Sequence, residues 1–313
     1  TMDTLRAMQA LVRTIDLGSL SAAARELGTT QPTVSKIVGA MERELSVRLI
    51  ERSTTRLSAT DAGLRFYEHA RRILDEYAEA CAAARGLSDQ IAGRLRVSAP
   101  LGFGEMHLNA IAQRFVRLHP QVELELILND RYINLIEEGI DLAVRLGGPL
   151  PASAVARTLA TAQRIFVAAP SYLQQHKRIR RIDDLGRHEF VRFAWLESGA
   201  TVEVTGPDGP RHIELRGRYS INSALAIRQA VCDGLGLAMT PSWLVQDLLV
   251  HGSLVRVLPR WQAQGQTLRA VYVSRRYQPL RVRAFISFLQ SELGTVPGLV
   301  VPPPVTAQQH PRC

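Results

Sequence analysis

The hydrophobic period of this chain changes near Gly93. Before it, apolar side chains recur at spacings of three and four, as on amphipathic helices; after it, short apolar runs alternate with helical stretches. A 313-residue chain with such a break is expected to fold as two modules of different class, one helical and one α/β. With 46% hydrophobic and 21% charged residues it has the composition of a globular protein, which excludes a disordered or fibrous chain.

Several chemistries find little support. Cys81, Cys232 and Cys313 are odd in number and far apart, with no CxxC spacing, so neither a disulfide framework nor a cysteine metal site is indicated and a reducing cytoplasm fits. The eight histidines lack the two-histidine helical spacing of a metallohydrolase, and no metal or other cofactor is expected. No basic segment followed by an apolar core and a cleavage site opens the chain, so secretion is not expected. The longest uncharged run, Leu293–Pro311, contains Pro297, Pro302, Pro303, Pro304 and Pro311, which deny it continuous helical bonding across a membrane; residues 294–313 read as a proline-rich flexible tail. The net charge of +9 invites a nucleic-acid reading. Residues 1–60, however, carry eight basic and six acidic side chains and residues 61–90 four and six, so the excess lies elsewhere and marks no DNA-binding end.

The first 58 or so residues read as short helices. Leu5, Met8, Leu11, Val12 and Ile15 line one face of a first, ended by Gly18; Ser19 N-caps a second, Leu20–Leu27, which stops at Gly28. Thr30 is placed to cap a third, Gln31–Leu45, with Pro32 in the first turn, where a missing N–H costs nothing. Val34, Ile37, Val38, Met41 and Leu45 form its apolar stripe, leaving Gln31, Thr33, Ser35, Lys36, Gly39 and Arg43 on the remaining surface. Two helices joined by a tight turn, the second carrying small polar and basic side chains near its N-terminus, describe a helix-turn-helix with a recognition helix; any small helical bundle shares the same pattern.

The spacing Ala23-Ala24-x-x-Leu27-x-x-x-Gln31-Pro32-x-x-Ser35-x-x-Val38-x-x-Met41-Glu42-x-x-Leu45 closely resembles the winged helix-turn-helix of LysR-type transcriptional regulators, a bacterial family. Val47-x-Leu49-Ile50-x-Arg52, then Arg56, Thr60, Ala62 and Gly63, resemble its wing and the entry into its linker helix. Ser46, Ile50 and Ala59 depart from the usual Gly, Phe and Leu; a left-handed Ser46 would cost up to roughly 1–2 kcal/mol relative to glycine. The resemblance implies that Gln31, Pro32, Thr33, Ser35 and Lys36 lie at the major groove of double-stranded DNA, Gln31 pairing with adenine and Lys36 with guanine or phosphate, while Arg52 and Arg56 hold the backbone.

From Thr60, an N-cap, one long helix is expected, since no proline occurs before Pro100. Phe66, Ala70, Ile73, Tyr77, Ala80, Ala84 and Leu87 alternate spacings of four and three, the heptad pattern of a helix paired with another, read here as a dimer seam; a buried helix within one domain has the same pattern. About 27 residues make a rod of roughly 40 Å. A dimer or tetramer of this kind faces a roughly palindromic site with half-sites about one helical turn apart, or a multiple of it.

Beyond Gly93, strands alternate with helices: Leu95–Ser98, a helix near Glu105–Leu118, Val122–Leu128, a helix around Asn134–Glu138 and Leu142–Arg145, read as a parallel α/β unit. A second cycle includes Ile165–Ala168, Phe190–Phe193, helix Ala224–Cys232, strand Leu237–Thr240, helix Ser242–Val250, and finally Leu268–Val273 and helix Val282–Leu293. The resemblance is to the LysR effector domain, a two-lobed fold built like a periplasmic binding protein. A cleft between two such lobes suits a small molecule.

Two loops carry the expected ligand site, simple capped helix starts being the competing assignment. Around Leu101, Gly102 and Phe103 a strand enters a helix whose N–H groups can hold a carboxylate, and Asn222 and Ser223 do the same from the other lobe. The resemblance implies a hydroxyl residue where Gly102 stands, and glycine offers no such side chain for an acid contact. Arg145 is a candidate partner for an anionic effector, Trp195 for an apolar wall and Thr240 for the hinge; exposure of Arg145 and simple packing of the other two are the competing assignments. No complete dinucleotide fingerprint, Walker loop or nucleophile elbow occurs, which leaves an enzyme without a motif.

The expected organisation is a helix-turn-helix domain (1–59), a linker and dimerisation helix (60–90), an effector domain (91–293) with lobe I at 91–163 and 268–293 and lobe II at 164–267, and the tail. The expected function is a cytoplasmic, ligand-responsive transcription factor with a small-molecule effector, a homodimer or homotetramer open to contact with RNA polymerase and without a membrane partner. The rival is a small-molecule binding protein whose helical end only oligomerises.

Overall fold

The computed structural model describes residues 3–52, 57–84, 91–131, 134, 135, 138–148, 150, 154–194, 201–273 and 278–302. Residues 1–93 with 133–140 form one compact unit, and 94–132 with 141–313 another.

In the first unit, α1 (Thr4–Leu17) is capped by the Asp3 carboxylate, which accepts the Arg6 N–H at 3.2 Å, and is closed by Gly18 in the left-handed region. Ser19 caps α2 (Leu20–Glu26) by accepting from the Ala22 N–H at 3.3 Å. Thr30 stands at the N-cap of α3 (Gln31–Leu45), yet its hydroxyl bonds that of Thr33 at 2.8 Å instead of a backbone N–H, so the expected side-chain cap is replaced by a hydroxyl pair. Ala23, Leu11, Val34, Val38 and Met41 are buried together; each fully buried Val or Leu contributes about 1.5–3 kcal/mol. Leu45, on the same stripe by spacing, is exposed. The antiparallel pair β1 (Ile50–Arg52) and β2 (Leu57–Ala59) follows, with Ile50 opposite Ala59. The Thr60 hydroxyl then accepts the Gly63 N–H at 2.9 Å and donates to the Arg48 carbonyl at 2.7 Å, tying the start of α4 (Asp61–Ala84) to the approach to β1.

The second unit runs β3 (Gly93–Ala99), α5 (Leu101–Phe103), a π-turn at Gly104–Leu108, α6 (Asn109–Leu118), β4 (Val122–Leu128), β5 (Leu142–Leu146), β6 (Ala154–Ala168), α7 (Pro170–Gln175), β7 (Val191–Phe193), β8 (Thr201–Gly206) and β9 (Gly209–Glu214). It continues with β10 (Tyr219–Ile221), α8 (Ala224–Cys232), β11 (Ala238–Pro241), α9 (Gln246–Val250), β12 (Val255–Val257), β13 (Gln262–Val273), α10 (Leu280–Leu293) and β14 (Leu299–Val300). The main sheet has the order β11-β6-β13-β5-β3-β4. Its spine is the long antiparallel pair β6 and β13, from Ala154 opposite Val273 to Arg164 opposite Ala263. β3 and β5 are parallel, as are β7 and β10 in a separate sheet. The sheet is therefore mixed and not parallel, because two crossing strands return antiparallel through its centre.

Three expectations are corrected here. Helix Ser242–Val250 is split: a 3-10 turn at Ser242–Leu244 gives way at Val245, whose φ of −128° is not helical, before α9 starts. The helix around Asn134–Glu138 is reduced, among the described residues, to the bonds from the Glu138 N–H to Asn134 O and the Ile140 N–H to Leu135 O. Residues 294–302 are not a loose tail. Val296 is buried, Ser242 Oγ donates to the Gly298 carbonyl at 2.9 Å, and β14 pairs antiparallel with β6, Leu299 opposite Ala162. The prolines that suggested looseness do not fall on the paired residues: Leu299 and Val300 lie between Pro297 and Pro302 and keep their N–H groups.

Candidate DNA interface and effector cavity

On α3 the two faces separate. Val34, Val38 and Met41 are buried, whereas Gln31, Pro32 and Lys36 are exposed. Thr33 and Ser35 are half-buried, Thr33 engaged with Thr30. Arg52 ends β1, its side chain lying outside the described residues; Arg56 lies outside them altogether. One residue with a structural task was missed: Glu42 Oε1 accepts the Leu49 N–H at 2.8 Å and the Ile50 N–H at 3.1 Å, so α3 itself holds the start of β1. The Glu at the end of the recognisable spacing was the available signal.

α1 is braced on both sides. Arg13 pairs with Asp16 at 2.7 Å and with Glu26 of α2 at 2.6 Å, while the Tyr67 hydroxyl of α4 donates to Asp16 at 2.5 Å. The bond to Glu26 holds the Arg13 pKa above its ordinary value, and burial raises that of Tyr67. Of the expected seam, Ala70 is fully buried with Val12 and Tyr67 inside the chain, and Phe66 is half-buried against the same cluster. This corrects Ala70 as a dimer contact: α1 already fills that position. Ile73, Tyr77, Ala80 and Ala84 are exposed, and Leu87 lies outside the described residues.

The second unit contains a cavity of about 310 Å³. Four expected residues line it: Gly102, Phe103, Arg145 and Thr240. Gly102 packs close to α8: a Cβ there would sit 3.2 Å from the Ala224 Cβ, a tight contact. Leu101, Asn222 and Ser223 are not among the lining residues. The Leu101 N–H donates to Asp130 Oδ1 at 3.1 Å, Ser223 Oγ accepts the Ala226 N–H of its own helix at 3.3 Å, and Asn222 is exposed. Trp195 lies outside the described residues. Arg145 donates to Val144 O and Ser98 Oγ, both at 3.1 Å.

Sequence reasoning missed Asn129, Asp130, Arg164, Trp243 and Gln266, which also line the cavity. Arg164 is signalled by a cation at the mouth of the apolar run Ile165–Ala169. Trp243 stacks edge-on against Phe103 at 5.3 Å, and its carbonyl lies 3.3 Å from His107 Nε2. Burial lowers the His107 pKa, against the opposing effects of the Trp243 carbonyl and the Asp247 charge. Among the described residues no three His, Cys, Asp or Glu side chains gather as a metal site, and no helix is long and apolar enough to cross a membrane.

Residues 5–64 match the model of the bacterial regulatory helix-turn-helix protein, lysR family, and residues 88–294 that of the LysR substrate binding domain. The chain belongs to the LysR family. LysR-type proteins are DNA-binding transcriptional regulators with an effector-binding domain, and this chain has both parts. The HTH-type transcriptional regulator PtxR of Pseudomonas aeruginosa is 34% identical over 94% of each chain. The HTH-type transcriptional activator TtdR of Escherichia coli is 30% identical over 90% of this chain and 91% of its own. Among solved structures, the LysR-type regulator CrgA of Neisseria meningitidis is 29% identical, with a TM-score of 0.59 over 92% of this chain and 98% of that one. Full-length AphB, a Vibrio cholerae virulence activator, is 25% identical, with a TM-score of 0.57 over 93% and 99%.

Proposed function

We propose that this LysR-type chain works in the cytoplasm as a homodimer or homotetramer that reads a palindromic operator and answers to a small anionic molecule, by binding and not by catalysis. Residues 1–59 serve DNA, 60–90 oligomerisation and 91–293, extended by 294–302, the effector. The observation that carries the reading is the division of α3: Val34, Val38 and Met41 anchor it while Gln31, Pro32 and Lys36 stay exposed. Gln31 matches the amide that recognises adenine, Lys36 a guanine or a phosphate, and Thr33, Ser35, Arg52 and Arg56 complete the contact. The exposed Ile73, Tyr77, Ala80 and Ala84 of α4 suit a second copy, and the assembled regulator is open to RNA polymerase. Phe103, Arg145 and Thr240 belong to the effector site, with Gly102 at its wall.

Gel shift with the DNA upstream of the protein's own gene tests this. Gln31→Ala should lose discrimination at one base position, whereas Arg52→Ala should weaken all sequences and reduce the salt slope by about 1. Equal binding of operator and random DNA by the unaltered protein would leave a ligand-binding protein whose helical end only oligomerises.

A further inference from the structure

We infer that Arg164 anchors the charged end of the effector, and that the effector is a monocarboxylic acid with an apolar body and a hydroxyl group. The inference rests on the cavity being the effector site, and it departs from the sequence, which pointed to Arg145.

Among the described residues four arginines line the cavity, and three are already engaged. Arg145 holds Val144 O and Ser98 Oγ, Arg192 donates through Nε and Nη2 to the Gly217 carbonyl, and Arg131 interacts within the chain. Arg164 donates only Nε, to Gln264 O at 2.8 Å; among the described residues its two Nη nitrogens have no partner and no carboxylate pairs with it. Burial holds its pKa below the ordinary value with no opposing contribution from a neighbouring charge. A half-buried guanidinium facing a cavity in this condition is completed by an anion, and its planar fork suits a carboxylate. A second ligand carboxylate would find no such partner and would meet the charge of Asp130, which favours one acid group over two.

The hydroxyl follows from orphaned polar atoms. Among the described residues, Thr240 Oγ1 and Trp243 Nε1, both on side chains more than nine-tenths buried, lack hydrogen-bond partners, as do Asn129 Oδ1 and Gln266 Oε1; all four residues line this one cavity. Four unmet groups around one space are costly unless something there meets them. The indole N–H needs an acceptor and the amide oxygens need donors. A carboxylate only accepts, whereas a hydroxyl does both. The rest of the wall, including Phe103, Phe190, Ile227, Met239 and Leu244, takes an apolar body of about one ring in a pocket of this size class.

Calorimetry on the full chain tests this with mandelate, benzoate, which lacks the hydroxyl, and mandelamide, which lacks the charge. Mandelate should bind most tightly. Arg164→Gln should weaken it roughly 30-fold or more with the ligand-free Tm little changed, Arg164→Lys should restore part of the affinity, and Arg145→Gln should cost far less. Mandelamide matching mandelate, or Arg164→Gln binding mandelate like the unaltered protein, overturns the anchor while leaving the cavity as the site. Benzoate matching mandelate overturns the hydroxyl. If none of the three binds a protein that still shifts its operator, the cavity reading itself fails.

Discussion

The Asp130 carboxylate accepts the backbone N–H of Leu101 at 3.1 Å, so the helix start that the sequence offered to a ligand carboxylate already holds one from the chain itself. The loop does have the property read from it, an N–H group poised for an anion. What a strand-to-helix turn cannot reveal is that a residue 29 positions later fills it.

Burial raises the Asp130 pKa above the usual carboxylate value, against the opposing effects of the Leu101 N–H and the Arg145 charge. The folded protein therefore holds this proton more tightly than the unfolded chain does. Its contribution to stability is complete below the unfolded pKa and is lost as pH rises through the folded one. Asp130→Asn keeps an amide oxygen for Leu101 and removes the titration. Thermal unfolding of both proteins from about pH 3.5 to pH 7 should show the variant gaining on the parent as pH rises. Parallel curves would show that Asp130 does not titrate in this way.

Glu42 joins α3 to the first wing strand through two N–H groups. Glu42→Ala leaves both donors without that acceptor and should cost about 1–3 kcal/mol. Operator affinity should fall further than the loss of a remote charge explains, because β1 starts from those donors. Denaturant unfolding and gel shift on the same preparation check the two effects, and a variant with unchanged stability would remove Glu42 from this role.

Gly298 adopts φ 85°, and a Cβ there would stand 2.7 Å from Ser242 Oγ and 2.8 Å from the Trp243 backbone nitrogen. Gly298→Ala should therefore displace β14 from β6 at a cost of about 1–3 kcal/mol and disturb the Trp243 side of the cavity. Tm and indole fluorescence follow the change. An unaltered spectrum and Tm would mean that β14 contributes nothing.

What was legible in the sequence was what local chemistry controls. The period of Val34, Val38 and Met41 marked the buried side of α3, and Ser19 and Thr60 marked helix starts that their hydroxyls indeed cap. What was hidden depends on partners distant in the chain. Ala70 has the spacing of a seam but meets Val12, and the proline-containing segment after Leu293 becomes a strand only because β6 offers it an edge. In the cavity, Thr240 and Arg145 were visible as polar residues on strands, whereas Asn129, Arg164, Trp243 and Gln266 come together only through the order of the sheet and the break at Val245.

Ser46 closes α3 at φ 54° and ψ 31°, its N–H reaching the carbonyls of Arg43 and Glu42. The left-handed conformation brings the Cβ of any L-residue too near the following carbonyl, at a cost of roughly 1–2 kcal/mol that glycine avoids. Glycine loses more chain entropy on folding, which offsets part of the gain. Ser46→Gly should therefore raise stability by about 0.5–1 kcal/mol, and no exposed side chain of the proposed DNA face is touched. Denaturant midpoint reads the stability, with m unchanged; operator affinity should stay constant. A destabilised variant would show that the serine hydroxyl has a partner outweighing the backbone strain.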